Sequence, residues 1–157
     1  MDQQAEAKLK QGLSQIFPEA GFIAEETAAT YGDVGNGYYW VIDPLDGTTN
    51  FLHKLPVFAV SVGLIFEKQP ILGLIYEPNR DELFTAFKGN GAHLNGSSIR
   101  VSPENSLSKS LLATGFPYYD FSYQDQYLAL LNQLSCTRHQ LMLSDISIQM
   151  GLNLRDQ

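Results

Sequence analysis

Two aspartates three residues apart are the strongest candidates for chemistry in this 157-residue sequence. Asp43 and Asp46 follow an apolar run, and only Pro44 and Leu45 lie between them. Two carboxylates held this close repel each other unless a cation lies between them. Hard divalent ions such as Mg²⁺ prefer oxygen ligands of this kind. The pair therefore predicts a divalent-cation site.

The residues that follow the pair offer donors for an anion. Gly47, Thr48 and Thr49 could open a helix whose unpaired backbone N–H groups face the same point, and such a helix start attracts phosphate. Metal ions and N–H donors that converge on one point would bind a phosphate oxyanion and stabilise its transition state. A simpler interpretation competes with this one. An Asp-Pro…Asp-Gly string is often a plain turn, and an Asp can merely cap a helix.

A second acidic pair, Glu25 and Glu26, follows a short apolar run at 22–24. Adjacent acids usually lie in a solvated loop. This pair, however, ends a predicted strand, as Asp43 does. Neighbouring strand ends in a sheet can bring their carboxylates together, so the position of the pair favours a place beside Asp43.

The surrounding segments predict helices packed on a sheet of mostly antiparallel strands. Residues 3–16 and 124–134 carry apolar side chains at three- and four-residue spacing, which is typical of amphipathic helices. Apolar and β-branched runs predict strands, and these lie at 22–24, 38–42, 57–66, 71–76, 83–87, 92–94 and 111–114. Their close spacing favours antiparallel pairing, because parallel neighbours need long crossovers. In 139–157 the apolar residues form no sustained face, and the helix predicted there has the least support.

The composition is that of a globular protein, with 44% hydrophobic and 17% charged residues. Ten Lys and Arg against seventeen Asp and Glu give a formal charge of -7, which argues against nucleic-acid binding through a basic face. An acidic protein can still bind a phosphate ester if metal ions mask the local charge. No apolar run approaches membrane-spanning length, and the polar start is unlike a signal peptide. We therefore expect no membrane association and a cytoplasmic location.

The segment Trp40–Phe51, WVIDPLDGTTNF, resembles the first signature of the inositol monophosphatase family. The similarity also covers Asp2–Glu6 and Phe22–Thr27, and it runs from Asp2 to about Arg138. The resemblance implies an α+β, layered helix/sheet sugar-phosphatase fold with a largely antiparallel sheet, of which this chain would be the N-terminal part of an αβαβα sandwich. We therefore predict a partial inositol monophosphatase-like domain at 1–138 and a divergent C-terminal tail at 139–157.

The resemblance also implies ligands for metal and phosphate. Glu25, Asp43 and the backbone carbonyl of Leu45 would bind a first Mg²⁺ ion. Asp43 and Asp46 would contribute to a second ion. Gly47 and Thr48 would donate backbone N–H groups to the phosphate.

The same resemblance implies a catalytic set of Thr48, Glu25 and Asp2. The Thr48 hydroxyl, oriented by Asp2, would help to activate a water for in-line attack on phosphorus. Glu26 would support the site from outside. The activity implied is Mg²⁺-dependent hydrolysis of a small phosphate ester, inositol monophosphate to inositol and phosphate, by a chain that could form a homodimer.

Two departures from the family pattern leave alternatives open. Family members begin with further helical sequence, and they carry a later Trp-Asp motif whose Asp completes the second metal site. Trp40 is the only tryptophan here, so we expect a chain truncated at both ends. The alternatives are a catalytically silent metal-binding fragment, or a phosphatase for histidinol phosphate or another sugar or nucleotide phosphate.

Overall fold

The computed structural model describes residues 2–24, 35–106, 109, 111–114, 121–135 and 140–143. They belong to two compact units, Met1–Arg100 and Val101–Gln157. The predicted domain boundary after residue 138 lies outside the described residues and stays a prediction.

The first unit is an α+β structure built on one seven-stranded sheet. Helix α1 (Asp2–Ile16) precedes the strands β1 (Gly21–Ala24), β2 (Tyr38–Asp46), β3 (Ala59–Phe66), β4 (Gln69–Glu77), β5 (Glu82–Phe87), β6 (Gly91–Leu94) and β7 (Ser97–Ile99). The strands lie in the sheet in chain order. Only β1 and β2 are parallel, and each later neighbour is antiparallel. The predicted α+β class and the largely antiparallel sheet are confirmed.

Two strand predictions need correction. The strand predicted to end at Ile42 continues to Asp46, because β3 pairs with its last residues. Strand β7 was not predicted, since Ser97, Ser98 and Ile99 include one apolar residue and give no alternation. It forms because the predicted turn at Asn95-Gly96 adopts φ values of 47° and 80°, and two positive φ values produce a tight hairpin.

The core of this unit lies directly beneath the strand that carries the aspartates. The buried residues of its main cluster are Ala20, Ala24, Trp40, Ile42, Val62 and Leu64, with Leu9, Leu13 and Phe17 among those packed against them. Ile42, the residue before Asp43, is 2% exposed. Fixing this side chain in close-packed surroundings restrains the strand up to the first aspartate.

Helix α1 contains one glycine that weakens it. Gly12 is exposed, and a Cβ at this position would meet no atom within 4 Å. We expect Gly12→Ala to raise the free energy of unfolding by about 1 kcal/mol, because alanine has the higher helix propensity. Urea denaturation would measure the gain, with Gln11→Ala as a control of smaller expected effect. A loss of stability in Gly12→Ala would contradict the exposed setting of this residue.

The second unit contains β8 (Leu111–Thr114), a helix at Gln124–Ser135 and β9 (Gln140–Leu143). Strands β8 and β9 pair in parallel, with Leu111 opposite Gln140. The strand predicted at 111–114 and the helix predicted at 124–134 are confirmed. The helix predicted in 139–157 is wrong at Gln140–Leu143, because a short apolar run fits helix and strand equally until a partner strand is present. Residues 144–157 lie outside the described residues.

Among the described helices, none has the length and apolar character needed to cross a bilayer.

Candidate metal and phosphate site

The parallel pairing of β1 with β2 brings two strand ends to one edge of the sheet. Ala24, the last residue of β1, pairs with Ile42, so the chain leaves β1 level with the residue before Asp43. Glu25 and Glu26 follow Ala24 in the sequence but lie outside the described residues. Their predicted roles therefore stay predictions, although the register of the preceding strand is the one that those roles require.

A β-bulge shapes the end of β2. Asp43 pairs with Ser61, and Asp46 pairs with Ala59. Two residues of β2 therefore lie between these pairs where β3 has one, and β2 contains one extra residue. The extra residue bends the strand and re-aims its side chains. Pro44 lies inside this bulge, where its lack of an N–H group costs no ladder hydrogen bond. The bulge thus puts both predicted metal-binding aspartates on one short irregular segment.

The half-buried Asp43 also makes a local turn. Its Oδ1 accepts a hydrogen bond from the Leu45 N–H at 3.1 Å, which is an Asx-type turn and agrees with the plain turn of the simpler interpretation. A carboxylate has about four lone-pair sites, so this bond and a cation are compatible. The turn restrains the carboxylate that the metal interpretation needs, and the two interpretations are not exclusive.

Gly47 starts a short helix immediately after the bulge. Helix α2 (Thr48–Leu52) has Gly47 as its N-cap residue, at φ 87° and ψ 35°, and no side chain caps it. A Cβ at this position would lie 2.9 Å from the Val57 carbonyl oxygen and 3.3 Å from the Phe58 Cα. Both the left-handed backbone and the close approach require glycine. The predicted helix start is confirmed, and the N-cap residue is a glycine rather than an aspartate.

Thr48 ties the helix start back to the bulge. Its hydroxyl donates to the Leu45 carbonyl oxygen at 2.8 Å. That carbonyl is the predicted metal ligand, and a carbonyl oxygen has two lone pairs. A hydroxyl has one proton, so in this arrangement Thr48 accepts rather than donates in any further hydrogen bond. Asp2 begins α1, but its side chain is outside the described part, and its predicted effect on Thr48 stays a prediction.

The donor atoms of this segment fit Mg²⁺ in their chemistry. The Asp43 and Asp46 carboxylates and the Leu45 carbonyl are all oxygen donors within four consecutive residues, which is the donor type that Mg²⁺ selects. In the part of the chain that the structure describes, no three His, Cys, Asp or Glu residues gather closely enough to hold a metal ion. The predicted metal ligands Asp43, Leu45 and Asp46 therefore remain a prediction, with Glu25 as the further predicted ligand.

One residue of this region was missed at the sequence level. The Asn50 side chain donates through Nδ2 to the Val57 carbonyl oxygen at 2.9 Å. Asn50 lies within the recognised WVIDPLDGTTNF segment, but its type and spacing gave no role. Only the folded chain shows that its partner is the carbonyl packed against Gly47.

A bulged aspartate pair leads directly into a helix that starts at Gly47, as the predicted metal and phosphate site requires. Residues 1–152 match the sequence pattern of the inositol monophosphatase family, and the chain belongs to that family. The family is one of metal-dependent phosphatases, and the resemblance noted from the sequence is confirmed.

Two curated proteins and one solved structure illustrate the similarity to known proteins. The chain is 49% identical to inositol monophosphatase 2 of Solanum lycopersicum over 116 residues, which cover 72% of this chain and 44% of that protein. It is 40% identical to the Nus factor SuhB of Escherichia coli, over 85% of this chain and 50% of that protein. The solved inositol monophosphatase of Anabaena (Nostoc) sp. PCC 7120 has a TM-score of 0.82 and 40% identity, over 92% of this chain and 57% of that chain. The chain thus spans about half the length of each of these three proteins.

Proposed function

We propose that this protein hydrolyses a phosphate monoester in a Mg²⁺-dependent reaction, with inositol monophosphate as substrate and inositol and phosphate as products. The observation that carries the proposal is the single turn Asp43–Thr48. It combines carboxylates, a carbonyl oxygen and helix-start N–H groups within six consecutive residues. The choice of substrate is supported by the names of relatives, including the inositol-1-monophosphatase of Synechocystis, which is 48% identical.

Every residue of this turn except Pro44 has a definite task in the proposed reaction. Asp43, Asp46 and the Leu45 carbonyl would hold Mg²⁺ together with Glu25. When bound, the ion would supply Lewis-acid activation and neutralise the charge of the phosphate. The first N–H groups of a helix have no intrahelical acceptor, so Gly47 and Thr48 are the proposed phosphate donors.

The Thr48 hydroxyl would orient the attacking water. Because its proton is directed to the Leu45 carbonyl, its oxygen is left to accept a hydrogen bond from that water. The oxygen of the water would bond to phosphorus and give up one proton, while the bond between phosphorus and the ester oxygen breaks and the leaving oxygen takes up one proton. Asp2 and Glu25 complete the proposed catalytic set.

The proposal also includes a cytoplasmic location, a small-molecule substrate without nucleic-acid or membrane partners, and a homodimer that light scattering would test.

The direct test measures phosphate release from inositol 1-phosphate with Mg²⁺ and after its removal by a chelator. We expect release only with Mg²⁺, and faster release from inositol 1-phosphate than from histidinol phosphate or a nucleoside monophosphate. Faster release from either of the others would replace the proposed substrate. No release from folded protein, with any of the three, would overturn the proposed catalysis.

A second candidate function is metal binding without turnover. It is favoured by the sequence, because Trp40 is the only tryptophan, so the later Trp-Asp motif implied by the family resemblance, whose Asp would complete the second metal site, is missing. A rise in melting temperature with Mg²⁺, together with no phosphate release, would support this candidate.

A further inference from the structure

We infer that Asn50 is a positioning residue for the phosphate turn, the segment Asp43–Thr48. Its amide holds the backbone of Val57 against Gly47 and so fixes the direction of the Gly47 and Thr48 N–H groups. The catalytic consequence of this role rests on the proposed function, whereas its structural consequence does not.

One carbonyl oxygen joins the two residues. The Val57 oxygen accepts from Asn50 Nδ2 at 2.9 Å. The same oxygen would lie 2.9 Å from a Cβ on Gly47, so it forms the surface against which the glycine packs. Asn50 therefore holds the atom that limits where Gly47 can lie.

The loop between α2 and β3 is also attached to Asn50 through the backbone. The Leu55 N–H donates to the Asn50 carbonyl at 2.8 Å, and the Val57 N–H donates to the Leu55 carbonyl at 2.8 Å. The rings of Phe51 and Phe58 meet edge to face, with centroids 5.0 Å apart. These contacts keep the loop folded, and within the described part of the chain it is the Asn50 side chain that donates to the Val57 carbonyl oxygen itself.

Strand pairing does not replace that bond. The ladder between β2 and β3 ends at Asp46 and Ala59, two residues beyond Val57. Without the Asn50 amide, the Val57 carbonyl would turn towards water to regain a partner, because a part-buried acceptor left unpaired is costly. The support behind Gly47 would then move. A small displacement of groups that position a substrate has a large effect on binding and rate.

The test uses Asn50→Ala, with Asn79→Ala as the matched control. Asn79 also donates a side-chain hydrogen bond in a turn, to Glu77 at 2.7 Å, but in the β4–β5 hairpin. In the free protein, we expect the backbone amide NMR signals of Gly47 and Thr48 to shift in Asn50→Ala and not in Asn79→Ala. With Mg²⁺ present, the affinity for inorganic phosphate should fall about tenfold in Asn50→Ala, the equivalent of one lost hydrogen bond. The control should bind phosphate as the parent protein does.

The two readouts separate the two proposals. Unchanged Gly47 and Thr48 signals in Asn50→Ala would overturn the positioning role. Suppose that the Gly47 and Thr48 signals shift in Asn50→Ala but that the parent protein binds no phosphate. This result would uphold the positioning role and overturn the phosphate site. If Asn50→Ala does not fold, Asn50→Asp keeps the side-chain volume and removes the N–H donor, so the same signals are compared in that variant.

Discussion

Replacing Asp43 with asparagine is expected to abolish Mg²⁺-dependent phosphate release while leaving the fold intact. The Asn oxygen can still accept from the Leu45 N–H, as Asp43 Oδ1 does at 3.1 Å, so the turn survives. The substitution removes the negative charge of the Asp43 carboxylate, and we expect this loss to lower the affinity for Mg²⁺. A metal ion contributes several kcal/mol to transition-state stabilisation, so we expect release to fall by about 10²-fold or more.

Thermal unfolding measures the metal part of this prediction separately from turnover. An ion that binds only the folded state raises the melting temperature. We expect Mg²⁺ to raise it in the parent protein and to have little effect in Asp43→Asn. Equal Mg²⁺ effects in both proteins would contradict the assignment of Asp43 as a metal ligand.

Asp81→Asn provides the matched control, since it removes one carboxylate from the β4–β5 hairpin. Asp81 accepts from the Tyr76 hydroxyl at 2.9 Å, and this hydrogen bond, with the charge of Asp81, raises the pKa of Tyr76 above its ordinary value. The control should therefore lower the pKa of Tyr76, while phosphate release and its Mg²⁺ dependence stay as in the parent protein. Loss of release in this control would show that charge in general, rather than the bulge, governs the reaction.

Gly47→Ala is expected to destabilise the protein and to eliminate phosphate release. The alanine would have to adopt φ 87° with its Cβ only 2.9 Å from the Val57 carbonyl oxygen. The left-handed backbone and the overpacking together should cost about 2–4 kcal/mol of unfolding free energy. Urea denaturation would measure this loss, and a phosphate-release assay on the fraction that remains folded would measure the effect on the site.

Gly73→Ala is the control for this substitution. Gly73 lies in β4, and a Cβ there would meet no atom within 4 Å. We expect its stability to equal or exceed that of the parent protein, because glycine weakens a strand interior. If Gly47→Ala were as stable as Gly73→Ala, the packing of Val57 against the turn would be disproved.

Much of the fold followed from local patterns. The helix at 3–16 and six strands of the main sheet were visible because each has a clear apolar period or a β-branched run. The segments that escaped prediction have no such pattern. The end of β2 contains Pro44 between two aspartates, which is typical of a turn, and Ser97–Ile99 has one apolar residue. Both are strands only because a neighbouring strand pairs with them.

The sequence by itself indicated the family, which the family match confirms, and it predicted the residues of the site. The residues of the predicted site, Asp43, Asp46, Gly47 and Thr48, are consecutive or nearly so, so a local motif and its resemblance to the family were enough to predict metal and phosphate binding. Tertiary structure decided what holds these groups in place. The bulge against β3, the close approach of Val57 to Gly47 and the Asn50 hydrogen bond join residues of separate elements or opposite ends of a loop. Such contacts depend on the tertiary fold of the chain, which no local pattern of residue types specifies.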